Sequence, residues 1–300
     1  MDASIALGFD SNPAQTRTGP DLAFTRYAVE ASRSWSANAG QAFSLGGGGW
    51  YRDYEAANDA YRLNLLSEWS RESASGLGLW RLNLAGSAYR DALVPADERD
   101  EAGVGARYDH LISARYTLGL SVDVRQLDYL HPALPWAGRP GGASNSGSKH
   151  GETGRNRSSQ MARHRDDTRL ELGLDLTRHW SPDLSTRFAL AYAENDSSVH
   201  LESYRRPGLS GSLRLEPSED WQVEAAVSGS LTLYTKTPSH REREDRQFGL
   251  SLALRRRFAA PPGDGAEWQC RLTWLDSDST LADYSFQQWV TECGLSWSLR

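Results

Sequence analysis

The segment Thr168–Trp180, TRLELGLDLTRHW, places Leu170, Leu172, Leu174 and Leu176 at every second position, with Arg169, Glu171, Gly173 and Asp175 between them. Steps of two scatter the leucines around a helix but gather them on one face of a strand. The pattern predicts a strand with one apolar and one charged face. It recurs along the chain. Ile5, Leu7 and Phe9 alternate with Ala6, Gly8 and Asp10, and Tyr116, Leu118, Leu120, Val122 and Val124 alternate with Thr117, Gly119, Ser121, Asp123 and Arg125. Val223 to Leu231 and Phe248 to Leu254 repeat it. Weaker copies lie at 22–35, 43–54, 61–69, 77–90, 103–109, 186–192, 209–215, 268–275 and 286–299. Together they predict about fourteen strands, an even number of the kind found in bacterial outer-membrane barrels.

The connections between these strands sort by parity. Odd ones include PAQTRTGP, VPADERDE and a segment from Leu130 to Asp167. Even ones are mostly tight: ANAG, ESAS, SPD and PSED, with AAPPGDGAE the longest. Outer-membrane barrels have short periplasmic turns and longer extracellular loops. The expected fold is therefore all-β, a single antiparallel transmembrane β-barrel over residues 1–300, with both termini periplasmic and 130–167 a long extracellular loop. Aromatic positions support the same layout. Trp35, Trp69, Trp180, Trp221, Trp268, Trp297 and Phe258 lie beside short turns or the C-terminus, as a girdle at one interface would. Tyr51, Tyr61, Tyr129, Tyr192, Tyr234, Trp274 and Tyr284 lie toward the long connections and are expected to form the opposite ring.

Composition agrees once a barrel is considered. Mean hydropathy is −0.61 and net charge is −6. No apolar run approaches the roughly 20 residues of a membrane helix, but barrel strands need only one apolar face. The 11 Trp and 12 Tyr outnumber the 7 Phe, a bias toward residues of membrane–water interfaces. There is no basic stripe of the kind that binds nucleic acid. Met1 precedes a strand directly, without a secretory signal, so the chain reads as a mature form or an excised domain.

The inward face is expected to carry Arg62, Glu68, Arg81, Arg107, Asp109, Asp123, Arg125, Arg169, Glu171, Asp175, Arg187, Arg214, Glu224, Arg255, Arg271 and Glu292. Such charges require a water-filled or mutually paired interior. They either line a passage and tune its selectivity or pair across strands to fill the lumen. Mixed signs argue against strong ion selectivity. Cys270 and Cys293 share the lipid-facing parity of the last two strands, where a cross-strand disulfide and two separate thiols are both open.

Little points to bond chemistry. His131, His150 and His164 match no metal-ligand spacing. His200 with Asp196 and Ser197 is the best hydrolase-like grouping, and proximity in sequence is all it has. LGGGGW at 45–50 is not a phosphate loop, since no Lys-Ser/Thr follows it. It reads as a place where a strand bends or another segment packs closely. No enzyme activity, cofactor or metal is expected.

The entry strand with Gly8, Phe9, Asp10, Ser11 and Asn12, together with the closing hairpin TWLDSDSTLADYSFQQWVTECGLSWSL, resembles the C-terminal barrels that follow tetratricopeptide repeats. These include the surface lipoprotein assembly modifiers and the exopolysaccharide-export barrels. The chain departs from that pattern in having no repeat domain and in ending Leu299-Arg300 where an aromatic is usual. The resemblance implies an outer-membrane conduit for surface lipoprotein or polysaccharide, fed by a periplasmic repeat domain. Its other expected partners are outer-membrane lipid and lipopolysaccharide. A passive porin for small solutes and a structural or adhesive barrel are the alternatives.

Overall fold

A computed structural model describes residues 1–38, 40–55, 58–133, 163–234, 243–258 and 265–298. Fourteen strands run in chain order: β1 (Asp2–Asp10), β2 (Leu22–Asn38), β3 (Gln41–Tyr54), β4 (Ala60–Glu72), β5 (Gly78–Asp91), β6 (Arg99–Ser113), β7 (Tyr116–Ala133), β8 (Arg163–Ser181), β9 (Leu184–Ser197), β10 (Tyr204–Ser218), β11 (Trp221–Tyr234), β12 (Glu244–Phe258), β13 (Ala266–Ser279) and β14 (Phe286–Ser298). Each pairs antiparallel with its chain neighbours, and β1 pairs with β14 to close the barrel. Closure leaves no sheet edge, the condition for a β-structure to exist in hydrocarbon.

The period-two pattern explains which side is which. Ile5, Leu7, Leu63, Leu65, Leu82, Leu84, Leu120, Leu172, Leu190, Leu209 and Leu252 all project outward and are exposed. A soluble sheet protein would bury that face. Here the compact apolar cluster is small: Leu22, Phe24, Tyr54 and Ala60, packed by Trp50, Leu93 and Val290 on the inner side. A continuous outer leucine surface around a closed sheet is stable only against lipid. The protein is a membrane-spanning β-barrel of the outer-membrane type.

Four of the even connections, at 39–40, 114–115, 182–183 and 219–220, are two-residue turns, whereas no odd connection is that short. Gly40 and Gly76 close two of the even turns with φ of +78° and +70°, a conformation that side chains resist. The ends of the 130–167 segment are strand, because Leu130–Ala133 continues β7 and Arg163–Asp167 opens β8. Residues 134–162 lie outside the described residues. The glycines of LGGGGW sit within an unbroken β3 and do not end the strand.

Outward Trp35, Trp69, Trp180, Trp221, Trp268 and Trp297 ring the short-turn rim, joined by Trp80. Arg33, Arg178 and Arg256 stack on members of this ring, with Arg178 3.3 Å from the Trp180 centroid. At the other rim Tyr51, Tyr61, Tyr192 and Trp274 also face outward. Three residues expected there do not. Tyr129 and Tyr234 share the parity of Asp123 and Glu224, so their rings point inward and are buried or nearly so. Tyr284 sits in a short 3-10 turn against the Arg243 guanidinium rather than on the lipid face.

Candidate functional site

The register puts every one of the sixteen charged positions from Arg62 to Glu292 on the face opposite the outer leucines. Many are tied into chains of ion pairs. Arg81 meets Asp109 at 2.6 Å, Asp109 meets Arg107 at 2.6 Å, Arg107 meets Asp175 at 3.0 Å and Asp175 meets Arg187 at 3.0 Å. That chain runs from β5 to β9. Elsewhere Glu101 holds Arg62 and Arg99, and Glu292 holds Arg26 and Arg52. Arg214 pairs with Glu216 on its own strand. Glu68, Glu224, Arg255 and Arg271 make no side-chain hydrogen bond or ion pair among the described residues.

Inward glycines make these long reaches geometrically accessible. The Arg107–Asp175 pair spans β7 at Gly119, where a Cβ would lie within 2.5 Å of both partners. At Gly105, Asn83 and Asp123 converge from opposite sides in the same way. A bare strand between two charged ones lets side chains two strands apart pair.

The inner wall is not uniform along its height. Leu66, inward near the middle of β4, is 43% exposed, but at the long-connection rim the inner side chains are buried. Two equivalent clamps dominate that rim. In the first, Arg165 donates through Nε and Nη2 to Asp167 at 3.1 and 2.6 Å and stacks 4.0 Å from the Tyr129 centroid. Asn195 donates to the same carboxylate at 3.0 Å, and Glu202 stands 3.7 Å from Arg165. In the second, Arg243 donates to Asp245 at 3.1 and 2.6 Å and stacks on Tyr234 and Tyr284, and Ser279 donates to Asp245 at 2.6 Å. Each clamp leans on a hairpin of the same construction. Ser197 accepts the Val199 N–H and donates its own N–H to Ser203, and Ser279 does so with Leu281 and Ser285.

Sequence reasoning missed these clamps, although the signal was there. The strings NDSSVHLESY (195–204) and SDSTLADYSF (277–286) align residue for residue, each preceded at the start of the strand before by Arg-x-Asp at 165–167 and 243–245. The four strands β7–β10 and the four strands β11–β14 therefore share one pattern. A third relative is the β5–β6 hairpin, where Asp91 accepts the N–H groups of Leu93 and Val94 and the Tyr89 hydroxyl.

Other sequence candidates separate. His164 lies outward, 2.7 Å from Asp128 and 3.4 Å from Asp166, whereas His131 lies inward, 3.7 Å from Glu98; His150 is outside the described residues. Asp196 and Ser197 point to opposite faces of β9, and the Ser197 hydroxyl accepts the Val199 N–H of its own turn. Cys270 and Cys293 are direct cross-strand partners on the outer face and form a disulfide with Cα atoms 4.1 Å apart.

No protein-family model matches the chain, and comparison with curated proteins finds no match in sequence. Solved structures do match in shape. A Pseudomonas aeruginosa FadL homologue is similar with TM-score 0.50 and 9% identity, over 99% of this chain and 89% of that one. A bacterial polysaccharide outer membrane secretin aligns at 0.49 and 13%, over 100% and 98%. OmpT of Vibrio cholerae, as its L8 loop-deletion mutant, aligns at 0.48 and 10%, over 99% and 97%. At these identities the likeness speaks to fold, and the fold is the outer-membrane barrel.

Proposed function

We propose that the barrel is a transport conduit of the outer membrane, with short turns and both termini on the periplasmic side. The observation that carries this reading is the inner wall: a closed barrel lined from β2 to β14 by arginine and carboxylate side chains, which hydrocarbon would not accept. Two features support the orientation. The two-residue turns gather at the rim that bears the termini, and the same rim carries the Arg–Trp pairs suited to lipid headgroups.

Within this class the export role fits best: passage of surface lipoprotein or polysaccharide handed over by a periplasmic repeat domain, as the entry strand and closing hairpin suggest. The clamps favour it over a passive porin, because they bury the inner wall at the exit side while the wall near Leu66 stays open. The test is single-channel conductance of the refolded chain in a planar bilayer, with heat-modifiable gel mobility as the check on folding. Steady current steps from the intact protein support an open passage and favour the porin. A folded but silent barrel that conducts once Asp167 and Asp245 are replaced by alanine supports a closed export exit. A folded barrel that stays silent in both forms defeats the conduit.

A further inference from the structure

The ion-pair chains leave one facing pair of arginines outside them. Arg125 on β7 and Arg169 on β8 are direct cross-strand partners on the inner face. Like charges in that position repel, with side-chain origins only about 5 Å apart. Each has only a loose carboxylate partner on its own strand: Arg125 donates to Asp123 at 3.5 Å and Arg169 stands 4.0 Å from Glu171. The Nε atom of Arg169 is buried without a hydrogen-bond partner.

The other carboxylates near the pair are engaged elsewhere. Glu101 is held by Arg62 and Arg99, and Asp167 by Arg165 and Asn195. Glu171 is the directly opposed partner of Asp123, so a layer of two carboxylates lies next to the layer of two guanidinium groups. Tyr204 adds an aromatic face 6.0 Å from Arg169. Leu127 and Asp167, the next inward pair toward the rim, are buried. The arginine pair thus sits at the foot of the first clamp, where the open wall ends.

We infer that Arg125 and Arg169 form an oxyanion subsite in the lumen, which engages the carboxylate or phosphate groups of an anionic cargo before it reaches the clamp. Two guanidinium forks at cross-strand spacing can donate to one oxyanion together, and planar forks suit carboxylate and phosphate better than a point charge does. The anion supplies an acceptor for Arg169 Nε and removes the repulsion within the pair. The inference rests on the conduit reading only for the cargo's route; binding itself does not need an open exit.

The test is equilibrium binding to the refolded, full chain in uncharged detergent at low salt, with an oligouronate as the carboxylate probe, tripolyphosphate as the phosphate probe and a neutral malto-oligosaccharide as control. Both anions should bind saturably, or one of them should, which identifies the oxyanion class; the neutral sugar should not. Arg125→Gln with Arg169→Gln should weaken binding about ten- to hundredfold, and Arg178→Gln on the outer face should not change it. Arg125→Lys with Arg169→Lys keeps the charge and the fold and should bind weakly. Absence of saturable anion binding by the wild type, or equal binding by the Gln and Lys pairs and wild type, overturns the subsite. A barrel that binds the anion yet never conducts, even without its clamps, keeps the subsite and loses the conduit.

Discussion

Arg107 and Asp175 lie on strands that do not touch, yet their side chains meet at 3.0 Å because Gly119 on the strand between them is bare. Asp175 is 5% exposed, so the pair is worth more than a surface ion pair, although Arg187 would still hold the carboxylate if Arg107 were displaced. Gly119→Val should therefore destabilise the barrel by about 1–3 kcal/mol. Urea unfolding in lipid vesicles measures this, with Gly229→Ala as a control at a site where the nearest atom is 3.9 Å from the new Cβ. Equal midpoints for Gly119→Val and wild type would remove the bridging role from that glycine.

The outer face makes a sharper demand. Leu172 stands at the middle of β8 and Leu120 in the short-turn half of β7, and both face lipid. Arginine at either position should cost about 2–4 kcal/mol of membrane folding free energy. The same substitution at Ser121, on the inner face, should cost far less. Matching folding yields for Leu172→Arg and wild type would invert the assignment of faces.

The two clamps are alike in construction but not in redundancy. Arg165 has Glu202 at 3.7 Å as a second carboxylate, whereas Arg243 has Asp245 alone among the described residues. Removing one partner of a buried pair costs about 3–5 kcal/mol. Asp245→Ala should approach that range and Asp167→Ala should fall below it. Denaturant midpoints of the two single variants, compared side by side, decide the order.

The Cys270–Cys293 disulfide closes a segment with a sequence separation of 23 in the last hairpin. In the chain-entropy view such a link contributes about 3 kcal/mol by restricting the unfolded chain. Replacing both cysteines by serine should lower the unfolding midpoint while leaving strand content intact, since β13 and β14 remain paired along their length. Thiol alkylation followed by mass measurement should label neither cysteine in protein isolated without reductant. Two labelled thiols would exclude the bond.

The strands were legible because the barrel enforces one rule at every residue: neighbours alternate between lipid and interior. Leu170 to Leu176 state that rule outright, and the same parity, applied strictly, would also have placed Tyr129 and Tyr234 inside beside Asp123 and Glu224. The aromatic-girdle rule overrode it there, and wrongly, because a tyrosine near a rim is equally at home under an arginine. The clamps were written twice in the sequence, but Arg165 and Asp167 fell in a stretch read as loop. The long charge chains were not legible at all. Which arginine reaches which carboxylate depends on shear and on the position of each bare glycine, and neither follows from one strand's pattern.

The seam between β1 and β14 has a consequence for assembly. Asp10 accepts two hydrogen bonds from Gln288 across a sequence separation of 278, and Asp2 accepts one from Ser298 across 296. Contacts of such span form late and slowly. Until the last strand arrives, the first is an open edge with unpaired N–H and C=O groups, a template for any passing strand. The two ends of the chain must therefore be kept apart from other partners for the whole of insertion, and then brought together once. For this barrel, timing is as much a part of the fold as register.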